Sequence, residues 1–313
     1  MRVAAYDEVD PDKAMRLNAM AFNWLLDSEK VAGIRKLDPA CSDWLALYLM
    51  EGKEPVAQVG VCYPRIMTSE GEMKAGFVWG VATRPGLARK GYQKILFEAV
   101  HERMLDDGAD LFVLMTLRSF VAHRLYEKFD YMDIVPFNWS VRRRGAKSKS
   151  NLNVRKKQWK SREIVRLYRE ASEGALGFAR RADDFVAIRR AWTPTWLDDA
   201  CLLERGGRTV GYALLSKWRD RLVIQEICCP EERNIPECVG ALERAYDVQY
   251  VQFSTHTKRS TIKWAERASL PLDVSTYIVF MARGARRPIS RAGLNGLLGI
   301  DRGIFQMTDL DSY

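Results

Sequence analysis

The sequence predicts an α/β fold, with α+β character in a mixed sheet, made from one unit used twice. Three observations carry that reading. Helical and strand periodicities alternate along both halves of the 313 residues, a length that suits about two domains of ~150 residues each. A glycine-bearing hairpin strand recurs, as Val59-Gly60-Val61 in the first half and Val210-Gly211-Tyr212 in the second. Between the halves, the stretch from Arg142 to Arg162 holds ten basic residues and no acid, with Gly145 and several serines and asparagines, the composition of a boundary. The resulting division is a first unit over 1–143, a connecting segment 144–160, a second unit over 161–284 and a C-terminal tail 285–313.

In the first unit, Asp10 before Pro11 is a helix start, an N-cap followed by proline at the first helical position. Ala14, Leu17, Ala21 and Trp24 then recur at helical spacing. Residues 45–49 and 55–63 read as strands joined by the polar turn Glu51-Gly52-Lys53-Glu54, and 77–82 as a third. A loop over 83–90 leads into a helix with Ile95, Leu96, Ala99 and Val100 on one face, which stops at Asp107-Gly108. An apolar strand over 111–115, a helix carrying Ala122, Leu125, Tyr126 and Phe129, and a long final strand over 131–141 complete the unit. The second unit repeats the order. Ser161 opens a helix with Ile164, Leu167, Tyr168 and Ala171 on one stripe, and a hairpin follows over 202–215. Then come a strand over 222–229, a helix from Pro230 through Ile235, Val239, Leu242 and Tyr246, and a strand over 250–254. A short helix around Trp264 and a last strand over 277–282 close it.

The chain carries 49 Lys and Arg against 40 Asp and Glu, a net +9, but without the ten basic residues of 142–162 the balance is 39 against 40. The excess is therefore local. It is either a solvated connection or a weak patch for nucleic acid or another polyanion, with Trp159 its sole aromatic. A composition of 47% hydrophobic and 28% charged residues excludes disordered and low-complexity chains. No apolar run approaches the ~20 residues that span a bilayer. Arg2 and Asp7 interrupt any secretory h-region, so a cytoplasmic protein with no membrane contact is expected. Cys41, Cys62, Cys201, Cys228, Cys229 and Cys238 form no C-x-x-C pair, and only His101, His123 and His256 accompany them. Buried free thiols and no metal are expected.

The segment richest in chemistry runs from Val81 to Leu96, where a strand enters a basic, glycine-containing turn that opens an amphipathic helix. The first amides of a helix have no internal partners and carry the positive end of its dipole. Gly91 lets a phosphate approach the backbone, and Arg89, Lys90 and Lys94 add positive charge. A phosphate site and a plain basic helix cap both satisfy the pattern. Neither Gly-Lys-Ser/Thr nor G-x-G-x-x-G is present, which turns the reading away from nucleoside triphosphates and dinucleotides. Further on, Ala122-His123-Arg124-Leu125-Tyr126-Glu127-Lys128-Phe129-Asp130-Tyr131 puts a tyrosine on a short helix directly after a strand.

Together these segments resemble the Gcn5-related N-acetyltransferase (GNAT) superfamily, in which a Q/R-x-x-G-x-G/A loop is followed by an A-x-x-L-Y-x-x-x-G-F signature. The likeness covers 77–133, and the flanks follow by element order. Ala88 stands where Gln or Arg usually opens the loop, Gln93 where a second small residue is usual, and Asp130-Tyr131 replaces Gly-Phe. The resemblance implies two tandem acyl-CoA N-acyltransferase units and an N-acetyltransferase that takes acetyl-CoA as co-substrate and a primary amine as acceptor. It implies Val81, Ala82 and Thr83 for the pantetheine arm, and Arg89, Lys90, Gly91, Tyr92, Gln93 and Lys94 for the pyrophosphate. Ser119 is a further cofactor position. Tyr126 matches the general acid that protonates the leaving thiolate, a role open to a phenol of pKa ~10. His123 is either a relay or an exposed helical histidine. Glu51, Glu72 and the C-terminal carboxylate of Tyr313 are the candidates for the base. A second class of function keeps the fold without the catalysis: a coenzyme A-binding or nucleic-acid-interacting regulatory module.

At the corresponding place the second unit has no glycine and presents Glu231, Glu232 and Glu237, which would repel a pyrophosphate. It is expected to be degenerate, a scaffold or substrate wall that binds no coenzyme A. A working unit followed by a degenerate one resembles mycothiol synthase and the enhanced-intracellular-survival type of acetyltransferase. The tail is either a frayed terminus or a segment that returns to the cleft between the units. The acceptor and the oligomeric state stay open.

Overall fold

The computed structural model describes residues 1–137, 139–144, 150–157, 162–192, 197–254, 270–271 and 278–311. Trp159, Ser161, the helix read around Trp264, and Tyr313 lie outside them. The strands are β1 (Arg2–Ala5), β2 (Cys41–Glu51), β3 (Glu54–Cys62), β4 (Arg65–Thr68), β5 (Gly71–Thr83), β6 (Leu111–Leu117), β7 (Met132–Phe137), β8 (Trp139–Arg143), β9 (Asn153–Lys157), β10 (Leu176–Gly177), β11 (Asp199–Arg205), β12 (Arg208–Trp218), β13 (Arg221–Cys228), β14 (Tyr250–Ser254), β15 (Leu270–Pro271), β16 (Ile278–Gly284) and β17 (Phe305–Gln306). The helices are α1 (Pro11–Phe22), α2 (Ser28–Leu37), α3 (Tyr92–Asp106), α4 (Val121–Glu127), α5 (Arg162–Ala171), α6 (Phe185–Trp192), α7 (Ile235–Ala245) and α8 (Arg291–Leu298). None of the described helices is long and apolar enough to cross a membrane.

Local chemistry explains the first unit's elements. The Asp10 carboxylate accepts from the amides of Asp12 at 3.0 Å and Lys13 at 3.3 Å, and Pro11 has no N–H that needs an acceptor, so α1 starts there. α3 buries Leu96, Phe97, Val100 and Met104 against the sheet. Ile95, read as part of that face, is instead 41% exposed, because the buried stripe runs through Phe97 and Met104. A Cβ on Gly60 would enter the Trp79 indole, and one on Gly211 would meet Cys229 and the Cys228 carbonyl. The repeated glycine thus does the same work twice, letting the neighbouring strand lie close.

The two halves exchange strands. The first sheet runs β1-β2-β3-β5-β6-β16-β7, with β4, β10 and β17 branching from the start of β5. β16, from the second half, lies between β6 and β7; β8, from the first half, lies between β14 and β15 in the second sheet. The single strand read over 131–141 is therefore two strands in two sheets, and the strand that ends the second half completes the first sheet. Each unit is finished by the other, and the helices lock the arrangement: α6 packs on α2, and Trp192 Nε1 donates to Asp38 Oδ2 at 2.7 Å. The stretch read as a connection contains β9, which pairs along β11. The charges of the basic run 142–162 meet acids of the second unit: Arg142 reaches Glu243 at 3.0 Å, Arg144 Asp247 at 2.6 Å, Arg155 Glu204 at 2.6 Å and Lys156 Asp199 at 3.0 Å. All six cysteines are free thiols, five of them buried, and no metal-ligating cluster occurs among the described residues.

Candidate active site

β5 and β6 are parallel and pair from Ala75/Leu111 to Val78/Leu114, where the pairing stops. β5 then stays with β3 as far as Thr83, and β6 stays with β16 as far as Leu117, so the two strands part. A bulge at Gly80–Val81, with Gly80 at φ +57°, interrupts the ladder of β5 with β3 just past the point where β5 leaves β6. The opening is a cavity of ≈ 810 Å³. Val78, Trp79, Gly80, Val81, Thr116 and Tyr126 line its inner side, and side chains of the second sheet line the other.

The loop after β5 leads to α3 through residues with left-handed backbone, Arg89 at φ +66° and Gly91 at φ +80°. Gly91 is the helix N-cap without a side-chain cap, and the first turn holds no acid. Among the described residues, the backbone amides of 88–93 find no hydrogen-bond partner. A run of free amides at a helix start, with Arg89, Lys90 and Lys94 exposed around it, has the chemistry to receive an anion. Tyr92 contributes only its backbone, since its ring is buried in the core. Gln93, at the position where a small residue is usual, folds its side chain back: Nε2 donates to the Ala82 carbonyl at 2.5 Å and to Thr83 Oγ1 at 3.1 Å. It thereby pins the loop to the strand end. Val81 lines the cavity, whereas Ala82 and Thr83 sit beyond it, and Ser119 is exposed in the turn before α4.

Tyr126 lines the cavity from α4, its ring 5.5 Å from Phe97 and 6.2 Å from Tyr131. Its hydroxyl has no hydrogen-bond partner among the described residues, and burial pushes its pKa well above the usual phenol range. His123 does not face the cavity as a relay, nor is it exposed. It is buried, with Nε2 2.8 Å from Asp133 Oδ1, and Arg118 closes the same carboxylate at 2.7 Å. Glu51 and Glu72 do not line the cavity; Glu72 lies at the start of β5, 3.5 Å from Arg180. The sequence offers the second unit as a scaffold or substrate wall but identifies none of the residues that form the outer side of the cavity. Phe22, Asp198, Trp218, Gln225 and Gln252 reach the cavity from α1, the segment before β11, β12, β13 and β14, and no local motif marks them.

The second unit shows what a filled counterpart looks like. β13 and β14 are also parallel and pair only as far as Ile224/Phe253. Beyond that point Glu226 is buried, holding Arg181 at 2.8 Å and accepting from the Tyr212 hydroxyl at 2.5 Å and Thr308 Oγ1 at 2.7 Å. Arg181 also binds Asp311 at 2.8 Å. The space left there is ≈ 30 Å³. The tail is thus not frayed over 291–311, and it returns between the units away from the large cavity: α8 packs on β4 and β7 of the first sheet, β17 pairs with β10, and Leu310 and Asp311 line a separate opening shared by Tyr63 and Arg65 of the first unit and Arg181 and Phe185 of the second.

Splayed parallel strands, a bulge and an amide-lined helix start on the strand before it define the acetyltransferase class of fold. Residues 2–133 match the acetyltransferase (GNAT) domain, so the first unit is a GNAT domain. The whole chain has the fold of tandem GNAT proteins. A tandem GNAT protein from the clavulanic acid biosynthesis pathway, 12% identical, aligns over 92% of this chain and 99% of that one with a TM-score of 0.63. A GCN5-related N-acetyltransferase from Kribbella flavida, 17% identical, aligns over 90% and 70% with a TM-score of 0.65. Eis1 from Mycobacterium abscessus, 10% identical, aligns over 91% and 74% with a TM-score of 0.57. Among curated proteins, no sequence matches the chain.

Proposed function

We propose that the chain is an N-acetyltransferase that moves the acetyl group of acetyl-CoA to a primary amine, with Tyr126 as general acid. The parting of β5 and β6 beside Tyr126 carries the reading, because it opens a strand edge and a slot at the point where an unbonded phenol faces the cavity. The free amides of 88–93, with Arg89, Lys90 and Lys94, supply the pyrophosphate site, and the unpaired edge around Val81 supplies hydrogen bonds for the pantetheine arm. A neutral amine attacks the thioester carbonyl and loses a proton to water; the C–S bond then breaks and the departing sulfur takes the phenol's proton. Burial keeps that phenol protonated throughout the neutral range. Activity should therefore rise with pH as the amine deprotonates and show no fall from tyrosine ionisation below about pH 10.

The test is Tyr126→Phe with acetyl-CoA-dependent thiol release over a panel of amines. A drop in kcat of ~10²-fold or more, with the melting shift induced by acetyl-CoA retained, is the expected outcome. Retained binding with unchanged turnover removes the general-acid role, and binding without turnover of any amine favours a non-catalytic coenzyme A-binding protein.

A further inference from the structure

The cavity beside Tyr126 is not enclosed by the first unit. Ser216 and Trp218 from β12, Gln225 from β13 and Gln252 from β14 form its outer wall. These side chains are braced against one another. Gln225 Nε2 donates to Ser216 Oγ at 3.0 Å, and Arg221 Nη1 donates to Gln252 Oε1 at 2.8 Å. The Arg221 guanidinium lies 4.2 Å from the Trp218 ring centroid and steadies the indole, yet Trp218 remains 56% exposed. Phe22, at the end of α1, and Phe120, before α4, are 43% and 56% exposed and line the same cavity. A lone exposed aromatic needs no explanation; three from distant parts of the chain around one opening indicate a recognition surface. Asp198 lines the cavity as well, its Oδ2 held by the Lys217 amide at 2.7 Å.

Resting on the acetyl-transfer reading above, we propose that the acceptor is a primary amine on an aromatic or flat apolar body, selected by the second unit through Trp218. The ring lies against Trp218, Phe22 and Phe120, while the Asp198 carboxylate attracts the ammonium form on entry. After deprotonation the nitrogen forms an N–C bond to the acetyl carbonyl carbon and gives up its remaining extra proton to water. The C–S bond breaks with its electron pair on sulfur, which takes the Tyr126 proton, leaving an N-acetyl amide and coenzyme A. The degenerate unit thus has a function of its own as the acceptor wall.

The experiment compares kcat/KM of the full chain for 2-phenylethylamine, n-propylamine and spermine, in the wild type, Trp218→Ala and Trp218→Phe, alongside the acetyl-CoA-induced melting shift. The wild type should prefer 2-phenylethylamine by ~10-fold. Trp218→Ala should shrink that preference to about twofold, and Trp218→Phe should keep most of it, with the melting shift unchanged in both. Equal or better use of propylamine or spermine, or an aromatic preference that survives Trp218→Ala, overturns the proposal. If acetyl-CoA gives neither a melting shift nor thiol release, acetyl transfer itself fails. The wall is then read by saturation-transfer NMR of 2-phenylethylamine: a signal lost in Trp218→Ala supports it, and no signal with the wild type overturns it.

Discussion

His101 lies on α3, its ring stacked 5.0 Å from Phe112 and its Nε2 3.1 Å from the Tyr131 hydroxyl. Burial, with some repulsion from Arg283, lowers its pKa to about 3. The folded chain therefore keeps it neutral at a pH where the unfolded chain, with an ordinary value near ~6.5, takes up a proton. Below about pH 6.5 the unfolded state binds more protons, so stability falls by up to ~1.4 kcal/mol per pH unit from this residue. Urea unfolding of His101→Phe between about pH 7 and pH 5 should show a slope shallower by close to one proton, even if the unpaired Tyr131 hydroxyl lowers stability throughout. An unchanged slope would sink this assignment. Tyr126 was legible because its short helix follows a strand and its position matches the tyrosine of the signature that the segment resembles. The setting of His123 was not, since its partner Asp133 lies on β7 and the pairing exists only once α4 packs against that strand.

At the scale of elements, the loop and helix around Gly91 form the part of the site that a short stretch of sequence can specify. Gly91 is at φ +80°, and a Cβ there would meet no atom within 4 Å, so replacement costs backbone strain and not a clash. Gly91→Ala should lower stability by ~1–2 kcal/mol and, by disturbing the amide row, weaken acetyl-CoA binding about tenfold in calorimetry. Loss of stability with an unchanged Kd would show that these amides do not hold the diphosphate. The strand–loop–helix–strand–helix order over 77–129 was readable because hydrophobic period and turn residues agree locally. α2, α6 and α8 escaped reading; their apolar stripes are short and are buried by elements remote in sequence, as where α6 meets α2.

Across the whole molecule, the exchange of β8 and β16 makes the two units one folding entity. Without β16, β6 and β7 would each present an unpaired edge, a ready template for association. Residues 1–143 produced alone should aggregate or lack a cooperative thermal transition, while the full chain melts as a unit. A fragment with dispersed amide NMR signals and a sharp melt would refute that coupling. The exchange also brings the second sheet against the opening between β5 and β6, so the cavity has two walls from one chain. By itself, the order of residues specified that a strand, a glycine turn and a helix would line up free amides, and that this unit would occur twice. Period, capping and turn chemistry act over a few residues, and those are visible in a string. Which strand completes which sheet, what fills the second cleft and which aromatics face the acceptor were settled only by the tertiary structure. Those outcomes depend on burying surfaces and pairing edges far apart in the chain, where no local pattern records the partner.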